Sequence, residues 1–285
     1  MKIGFVGLGV MGFPMAGHLA AAGHELAVFN RSPDKALRFV LEHGGTAATT
    51  VAEAAHGAEM LVLCVGNDDD VREVVGQALE HLARGAVIVD HTTTSAKLAR
   101  EMAERAEAVG RSFVDAPVSG GQAGAEKGIL TVMAGAEPAA FARAEEMLAA
   151  YARTIRRIGE PGAGQLAKMV NQIAIAGVLQ GLAEAIHFAE TADLDTDAVF
   201  EAISKGAAQS WQMENRWGTM VEGRFDFGFA VDWMRKDLGI ALNEARSNGA
   251  RLPVCAVVDQ FYAEVQAMGG RRWDTSSLVA RLRKS

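Results

Sequence analysis

The opening stretch MKIGFVGLGVMGFPMAGHLAAAGHELAVFN constrains the fold more than any other part of the chain. A short apolar run, KIGFVG, leads into Gly7, Gly9 and Gly12 in G-x-G-x-x-G spacing, and VMGFPMAGHLAAAG follows, closed by Gly23. In a strand–turn–helix unit the three glycines serve different ends, with a tight turn at Gly7, close backbone approach at Gly9, and helix-to-strand packing at Gly12. The helix start then offers N–H groups and a positive dipole end to a pyrophosphate. The same residues, with a lysine, an apolar run and small side chains, also have the look of a secretory signal. The glycine spacing and the second apolar run ELAVFN decide for a dinucleotide-binding βα unit.

The end of that second strand bears on which dinucleotide fits. NAD-binding chains usually place Asp or Glu there to accept from the ribose 2′-hydroxyl. This chain has Asn30, Arg31 and Ser32. A guanidinium can pair bidentately with a 2′-phosphate, and its two neighbours can donate hydrogen bonds, so NADP(H) is preferred and NAD possible. NRSPDK also reads as a polar turn in which Ser32 caps the next helix.

Apolar runs recur at 60–65, 85–92, 112–118, 130–135 and 154–159, separated by helical patterns such as DDVREVVGQALEHLARG. That alternation predicts a parallel sheet covered on both faces, an α/β doubly wound Rossmann domain. After Gly159 the strand signals stop. A helix of roughly 28 residues, about 40 Å long, begins near Gln165. Further helices are expected at 195–205, 208–222, 228–249, 253–268 and 275–283. GEPGAG at 159–164 marks the boundary, giving a Rossmann domain over 1–161 and an all-helical domain over 162–285.

With 49% hydrophobic and 22% charged residues and a net charge of -7, the 285-residue chain is expected to be globular, without the basic footprint that nucleic acid or an anionic membrane requires. Charge is expected to interrupt every apolar helix before it could span a bilayer. Two cysteines, Cys64 and Cys255, are too few for a disulfide scaffold and point to the cytoplasm. No spacing suggests a metal site.

Ligands of such a sheet bind at the carboxyl ends of its strands. Three polar stretches fall there. GNDDD at 66–70 reads as a loop whose aspartates cap a helix. DHTTTS at 90–95 either faces a nicotinamide ribose or caps a helix. DAPVSGGQAGAEKG at 115–128 has little side-chain bulk, so its N–H groups can approach an anion. Lys168 stands in a nearly apolar helix, yet lysine is seldom buried unless paired. On that helix Gln165, Lys168, Asn171 and Gln172 form one polar face, confined to the first turns beside the domain boundary. A snorkelling lysine is the bland reading; the coincidence of donors, junction and glycine loop favours a substrate cleft.

Taken in order, GFVGLGVMGFPMAGHL, DAPVSGG, GAGQLAKMVNQ and MRKDLGIAL resemble the β-hydroxyacid dehydrogenase family, which includes 3-hydroxyisobutyrate dehydrogenases and tartronate semialdehyde reductases, along essentially the whole chain. The resemblance implies a catalytic Lys168 with Asn171 as companion, and a substrate carboxylate held by Ser119, Gly120 and Gly121. It implies a dimerising helical domain, so a homodimer or homotetramer. Gln172 and, as a pocket wall, Trp211 complete the expected substrate side; Trp211 as a core residue is the alternative. Cofactor contacts are expected at Gly7, Leu8, Gly9, Val10, Met11, Gly12, Asn30, Arg31, Ser32, Val65, Thr93 and Lys236. Gln172 departs from the second Asn of 3-hydroxyisobutyrate dehydrogenases and is closer to the tartronate semialdehyde reductases.

The expected chemistry is hydride exchange between NADP(H) and a short 3-hydroxy acid or its semialdehyde, with Lys168 as general acid/base; burial in a closed cleft would disfavour its charged form. Tartronate semialdehyde is the alternative substrate. His91 beside Asp90 is the rival acid/base and His187 reads as core. A non-catalytic dinucleotide-binding protein would not need Lys168 with Asn171. An imine reductase would be expected to carry an acidic or tyrosyl group in place of Lys168.

Overall fold

Alternating apolar runs and capped helices build the first part of the chain as β1 (Lys2–Val6), α1 (Gly12–Ala21), β2 (Glu25–Phe29), α2 (Pro33–His43), β3 (Thr46–Ala47), α3 (Val51–Ala55), β4 (Met60–Leu63), α4 (Asp68–Ala78), β5 (Val87–Asp90), α5 (Ala96–Glu107), β6 (Ser112–Asp115), β7 (Val118–Ser119), α6 (Gly121–Glu126), β8 (Leu130–Gly135), α7 (Pro138–Leu148) and β9 (Ala152–Gly159). The structure, a computed structural model, describes residues 1–283. Its chain divides into two units, Met1–Lys168 and Met169 onward.

Among the described residues nine strands join one sheet in the order β3-β2-β1-β4-β5-β6-β8-β7, with β9 on β8. The chain runs outward from β1 through β2 and then crosses back to β4 on the other side, so β1 marks the point where the winding reverses. In such sheets the crevice at the carboxyl ends beside that strand is the ligand site. Side chains alternate between two cores. Ile3, Phe5, Met60, Val62, Val87 and Val89 join Met15, Leu19 and Tyr151 on one face, whereas Leu61, Leu63 and Ile88 join Val71, Val75, Leu98 and Met102 on the other. Burial on both faces explains why these strands read as continuous apolar runs rather than as alternation.

The sheet is not wholly parallel, contrary to the sequence expectation. β8 runs antiparallel to β6 and β7, and only its pairing with β9 is parallel. Between β7 and β8 lie only residues 120–129, which include the short α6; a parallel crossover takes a dozen residues or more. β3 and β7, two residues each, are too short to leave a periodic signal.

The second unit holds most of α8 (Ala163–Thr191), then α9 (Thr196–Ile203), α10 (Trp211–Val221), α11 (Val231–Asn248), α12 (Pro253–Ala267) and α13 (Leu278–Leu282). The expected helices are present with trimmed ends, and the last is preceded by 3-10 turns at Gly270–Arg272 and Thr275–Ser277. Its core gathers Ala176, Leu179, Ala183 and Ile186 with Met213, Trp217, Leu238, Val258 and Tyr262. Contrary to expectation, the 29-residue α8 is long and apolar enough to cross a membrane by length and composition, a test that core helices of soluble proteins also meet. One side of it is buried in the helical core, while Val170 and Phe188 are 67% and 71% exposed.

The three glycines of the first turn are not equivalent. Gly7 has φ +101°, and a Cβ there would meet the Cys64 carbonyl oxygen at 2.2 Å; one on Gly12 would lie 1.9 Å from the Gly7 oxygen. A Cβ on Gly9 meets nothing within 4 Å. Gly12→Ala should therefore destabilise the fold by about 1–3 kcal/mol, the usual cost of overpacking. Gly9→Ala should leave stability nearly unchanged while weakening dinucleotide binding. Equal thermal midpoints for the two variants would contradict this division.

Candidate active site

The glycine turn is fastened from the neighbouring strand. Asn30, just past β2, accepts from the Leu8 N–H at 2.9 Å and donates to the Ser32 carbonyl at 3.2 Å, so its amide shapes the loop instead of standing ready for a phosphate. Ser32 occupies the N-cap position of α2, but its side chain makes no capping bond; Pro33 starts the helix. Arg31 is 82% exposed and its guanidinium lies 3.2 Å from the Asp70 carboxylate. A carboxylate thus does compete for Arg31. Within the turn Leu8 is buried, Met11 half-buried and Val10 exposed. The open space over Gly9, beside the tightly packed Gly7 and Gly12, fits a pyrophosphate against the loop.

On the far side of β1, the residues after β4 form a second wall. Asn67, not an aspartate, caps α4 by accepting from the Asp70 N–H at 3.0 Å. Asp68 instead takes the Ser95 N–H at 3.0 Å and its hydroxyl at 2.5 Å, and Ser95 caps α5. Val65 is half-buried, its N–H donating to the Thr92 hydroxyl at 3.0 Å. Thr93 is half-buried between the buried Thr92 and Thr94.

Asp115, at the end of β6, is fully buried. Its two oxygens accept the N–H groups of Gly162 at 2.7 Å and Gln165 at 2.9 Å, so it caps the start of α8 from 47 residues away. Gly135 and Gly164 let the backbones meet there, since a Cβ on either would lie within 2.8 Å of several neighbouring atoms. One turn on, the buried Gln165 donates to the Thr92 carbonyl at 2.8 Å and accepts from the Thr94 N–H at 3.0 Å. Next comes Lys168, 8% exposed, whose ammonium donates to the Val118 carbonyl at 3.0 Å. Val118 immediately precedes Ser119, Gly120 and Gly121, where Gly120 and Gly121 have φ +128° and +61°. The fold thereby brings the lysine to the glycine loop.

Further along α8, Asn171 donates to Gln172 at 2.8 Å, and Gln172 donates to Asp237 at 2.7 Å. Asp237, buried on α11, also lies 3.3 Å from the Lys236 ammonium. Both polar ends of Gln172 are engaged. Trp211 is 55% exposed, not core, with Arg216 over its ring at 5.0 Å. His91 is no acid/base candidate. Its ring contacts the Ala116 carbonyl at 2.6 Å and the Tyr151 hydroxyl at 2.7 Å, and burial holds its pKa down to about 4. His187 is half-buried, not core. Asp115 and Asp237 leave no signal in the sequence; no local pattern announces a carboxylate whose partners are distant along the chain. Among the described residues no cluster of three or more metal-ligating side chains occurs.

A glycine turn at the reversal point of an open sheet and a lysine held beside a small-residue loop are features that suit an NAD(P)-dependent oxidoreductase, the class to which the family matches assign the chain. The family described as the NAD binding domain of 6-phosphogluconate dehydrogenase matches residues 2–159, and that described as the NAD-binding of NADP-dependent 3-hydroxyisobutyrate dehydrogenase matches 162–282. An oxidoreductase of Shewanella frigidimarina (strain NCIMB 400) is 60% identical over 100% of this chain and 99% of its own. The 2-hydroxy-3-oxopropionate reductase of Escherichia coli (strain K12) is 33% identical over 99% of this chain and 97% of its own. The structure of Mycobacterium tuberculosis 3-hydroxyisobutyrate dehydrogenase with L-serine superposes with a TM-score of 0.91 at 30% identity, covering 99% of this chain and 98% of that one. The chain belongs to the β-hydroxyacid dehydrogenase family and is an NAD(P)-dependent hydroxyacid dehydrogenase of the 3-hydroxyisobutyrate dehydrogenase and tartronate semialdehyde reductase type.

The buried Asp115 has a measurable signature. Burial lifts its carboxyl to about 7, against the opposing pull of the Gly162 and Gln165 N–H groups. A raised carboxyl pKa means the folded state binds more protons between the unfolded value, about 4, and 7, so this stabilisation is present at low pH and is lost as pH rises through 7. His91, held neutral by burial, has the opposite slope, losing stability as pH falls from 6.5 towards 4. It cancels when wild type is compared with Asp115→Asn. The stability advantage of wild type over that variant should shrink by about 2–3 kcal/mol between pH 5 and 8, by chemical denaturation; a pH-independent difference would contradict the assignment.

Proposed function

We propose that this chain transfers a hydride between NADP(H) and a short 3-hydroxy acid or its semialdehyde, with Lys168 as general acid/base. The observation that carries the proposal is the 3.0 Å bond from the Lys168 ammonium to Val118, which puts a largely buried proton donor next to Ser119, Gly120 and Gly121. A carboxylate seated on that small-residue loop would present its β-carbon substituent to the lysine. The dinucleotide, when bound, supplies or accepts the hydride. Lys168 takes the hydroxyl proton as the alcohol becomes a carbonyl, and returns it in reduction. Asn171, one turn on, orients the same oxygen.

In this reading residues 1–161 hold the cofactor, through the glycine turn, Arg31, Val65 and Thr93, and residues 162–285 contribute substrate contacts, Lys236 and the dimer interface. Tartronate semialdehyde is the alternative substrate within the class, supported by the 33% relative and by Gln172 following Asn171. A reducing cytoplasm suits Cys64 and Cys255, neither of which forms a disulfide. A second copy of the chain would cover the exposed Val170, Val178 and Phe188 of α8. Light scattering at micromolar concentration should give a multiple of 30.1 kDa; a monomer would refute the dimer.

Lys168→Ala should lower turnover by about 10² to 10⁴ while leaving dinucleotide affinity close to wild type. Lys168→Arg keeps the charge but does not release a proton near neutral pH, so it should remain nearly inactive. The assay is NADPH absorbance with a panel of short 3-hydroxy acids and their semialdehydes. An arginine variant retaining most of its turnover would reduce Lys168 to a charge anchor.

A further inference from the structure

The pairing of Arg31 with Asp70 has no part in the hydride chemistry, yet it lies where cofactor choice is made. Arg31 follows β2 and Asp70 belongs to the first turn of α4, after β4; these two strands flank β1 and its glycine turn. The partners differ in freedom. Asp70 is 18% exposed and fixed twice, by the Gly66 N–H donated to its second oxygen at 3.1 Å and by its own N–H on Asn67 at 3.0 Å. Gly66 leaves room for it, since a Cβ there would lie 2.4 Å from that oxygen. The start of α4 further favours a negative charge at this position. Arg31, 82% exposed, is the less enclosed member.

We propose that Asp70 is a specificity-determining residue that competes with the cofactor's 2′-phosphate for Arg31 and so moderates the preference for NADP(H) over NAD(H). The proposal rests on the reading of Arg31 as the partner of that phosphate. A dianionic phosphate must draw the guanidinium away from a fixed carboxylate, and it then remains near that carboxylate with like charge. The competing pair is exposed and individually weak, so it reduces the preference without abolishing it. NAD(H), which has a hydroxyl at that position, makes no claim on Arg31 and leaves the pair intact. Asn30 cannot substitute for the arginine, because its amide is held by Leu8 and Ser32.

The test is a fluorescence titration of NADPH and NADH, at one fixed low ionic strength, into wild type, Asp70→Asn, Arg31→Leu and the double variant. Asparagine keeps an oxygen for the Gly66 N–H and removes the charge. Asp70→Asn should tighten NADPH by roughly threefold to tenfold and change NADH by less than about twofold. In the Arg31→Leu background the same substitution should tighten NADPH by clearly less, because the competition is for the arginine. Unchanged or weaker NADPH binding by Asp70→Asn overturns the proposal, weaker binding assigning Asp70 the opposite role of steadying Arg31 for the phosphate. An equal gain in both backgrounds also overturns it, leaving only long-range repulsion. If Arg31→Leu itself leaves NADPH affinity unchanged, the reading of Arg31 fails, and the competition with it.

Discussion

The site depends on one buried carboxylate. Asp115 ends a strand of the sheet and closes the first turn of α8 by accepting two of its N–H groups. A helix start leaves such donors without partners inside the helix, and burying them unpaired is costly. Asp115 meets that demand and also sets the position of everything the helix carries in its first turns. Gln165 can then clasp the loop after β5, and Lys168 can reach Val118 in β7. The strand-end carboxylate and the lysine belong to one arrangement, in which the carboxylate is fully buried and the ammonium-bearing side chain almost so.

The cofactor side follows a different logic, set by sterics. The three glycines answer to three different neighbours: a carbonyl next to Gly7, another next to Gly12, and open space next to Gly9. Around them the polar groups are mostly used internally. Asn30 secures the turn, Asp68 secures Ser95 and Asn67 caps α4. Arg31 is the exception in its exposure, and its pairing with the more enclosed Asp70 is of the weak surface kind.

What can be read from the sequence follows from these two logics. The glycine turn is legible because sterics demand glycine at its tight points, and the buried strands are legible as apolar runs. Lys168 is legible as an anomaly, an ammonium among apolar neighbours. Asp115 is not: it sits inside DAPVSGG, where the glycines draw attention, and its partners are about 50 residues away in Gly162 and Gln165. Asp70 and Asp237 are hidden for the same reason, since a run of aspartates or a KDL triplet does not state which arginine or glutamine it will meet. The antiparallel β7–β8 pairing leaves no trace because Val118–Ser119 is too short for periodicity. Charge fails to interrupt α8 as expected because the stretch between Lys168 and Glu184 carries none.

The most direct test of the account is a crystal structure of the chain with dinucleotide and a short 3-hydroxy acid or its unreactive analogue. The carboxylate is expected on Ser119, Gly120 and Gly121, with the hydroxyl oxygen within about 3.2 Å of the Lys168 ammonium, the reach of a general acid/base. A bound acid whose carboxylate lies away from that loop, or whose hydroxyl meets another donor while Lys168 stays on Val118, would contradict it.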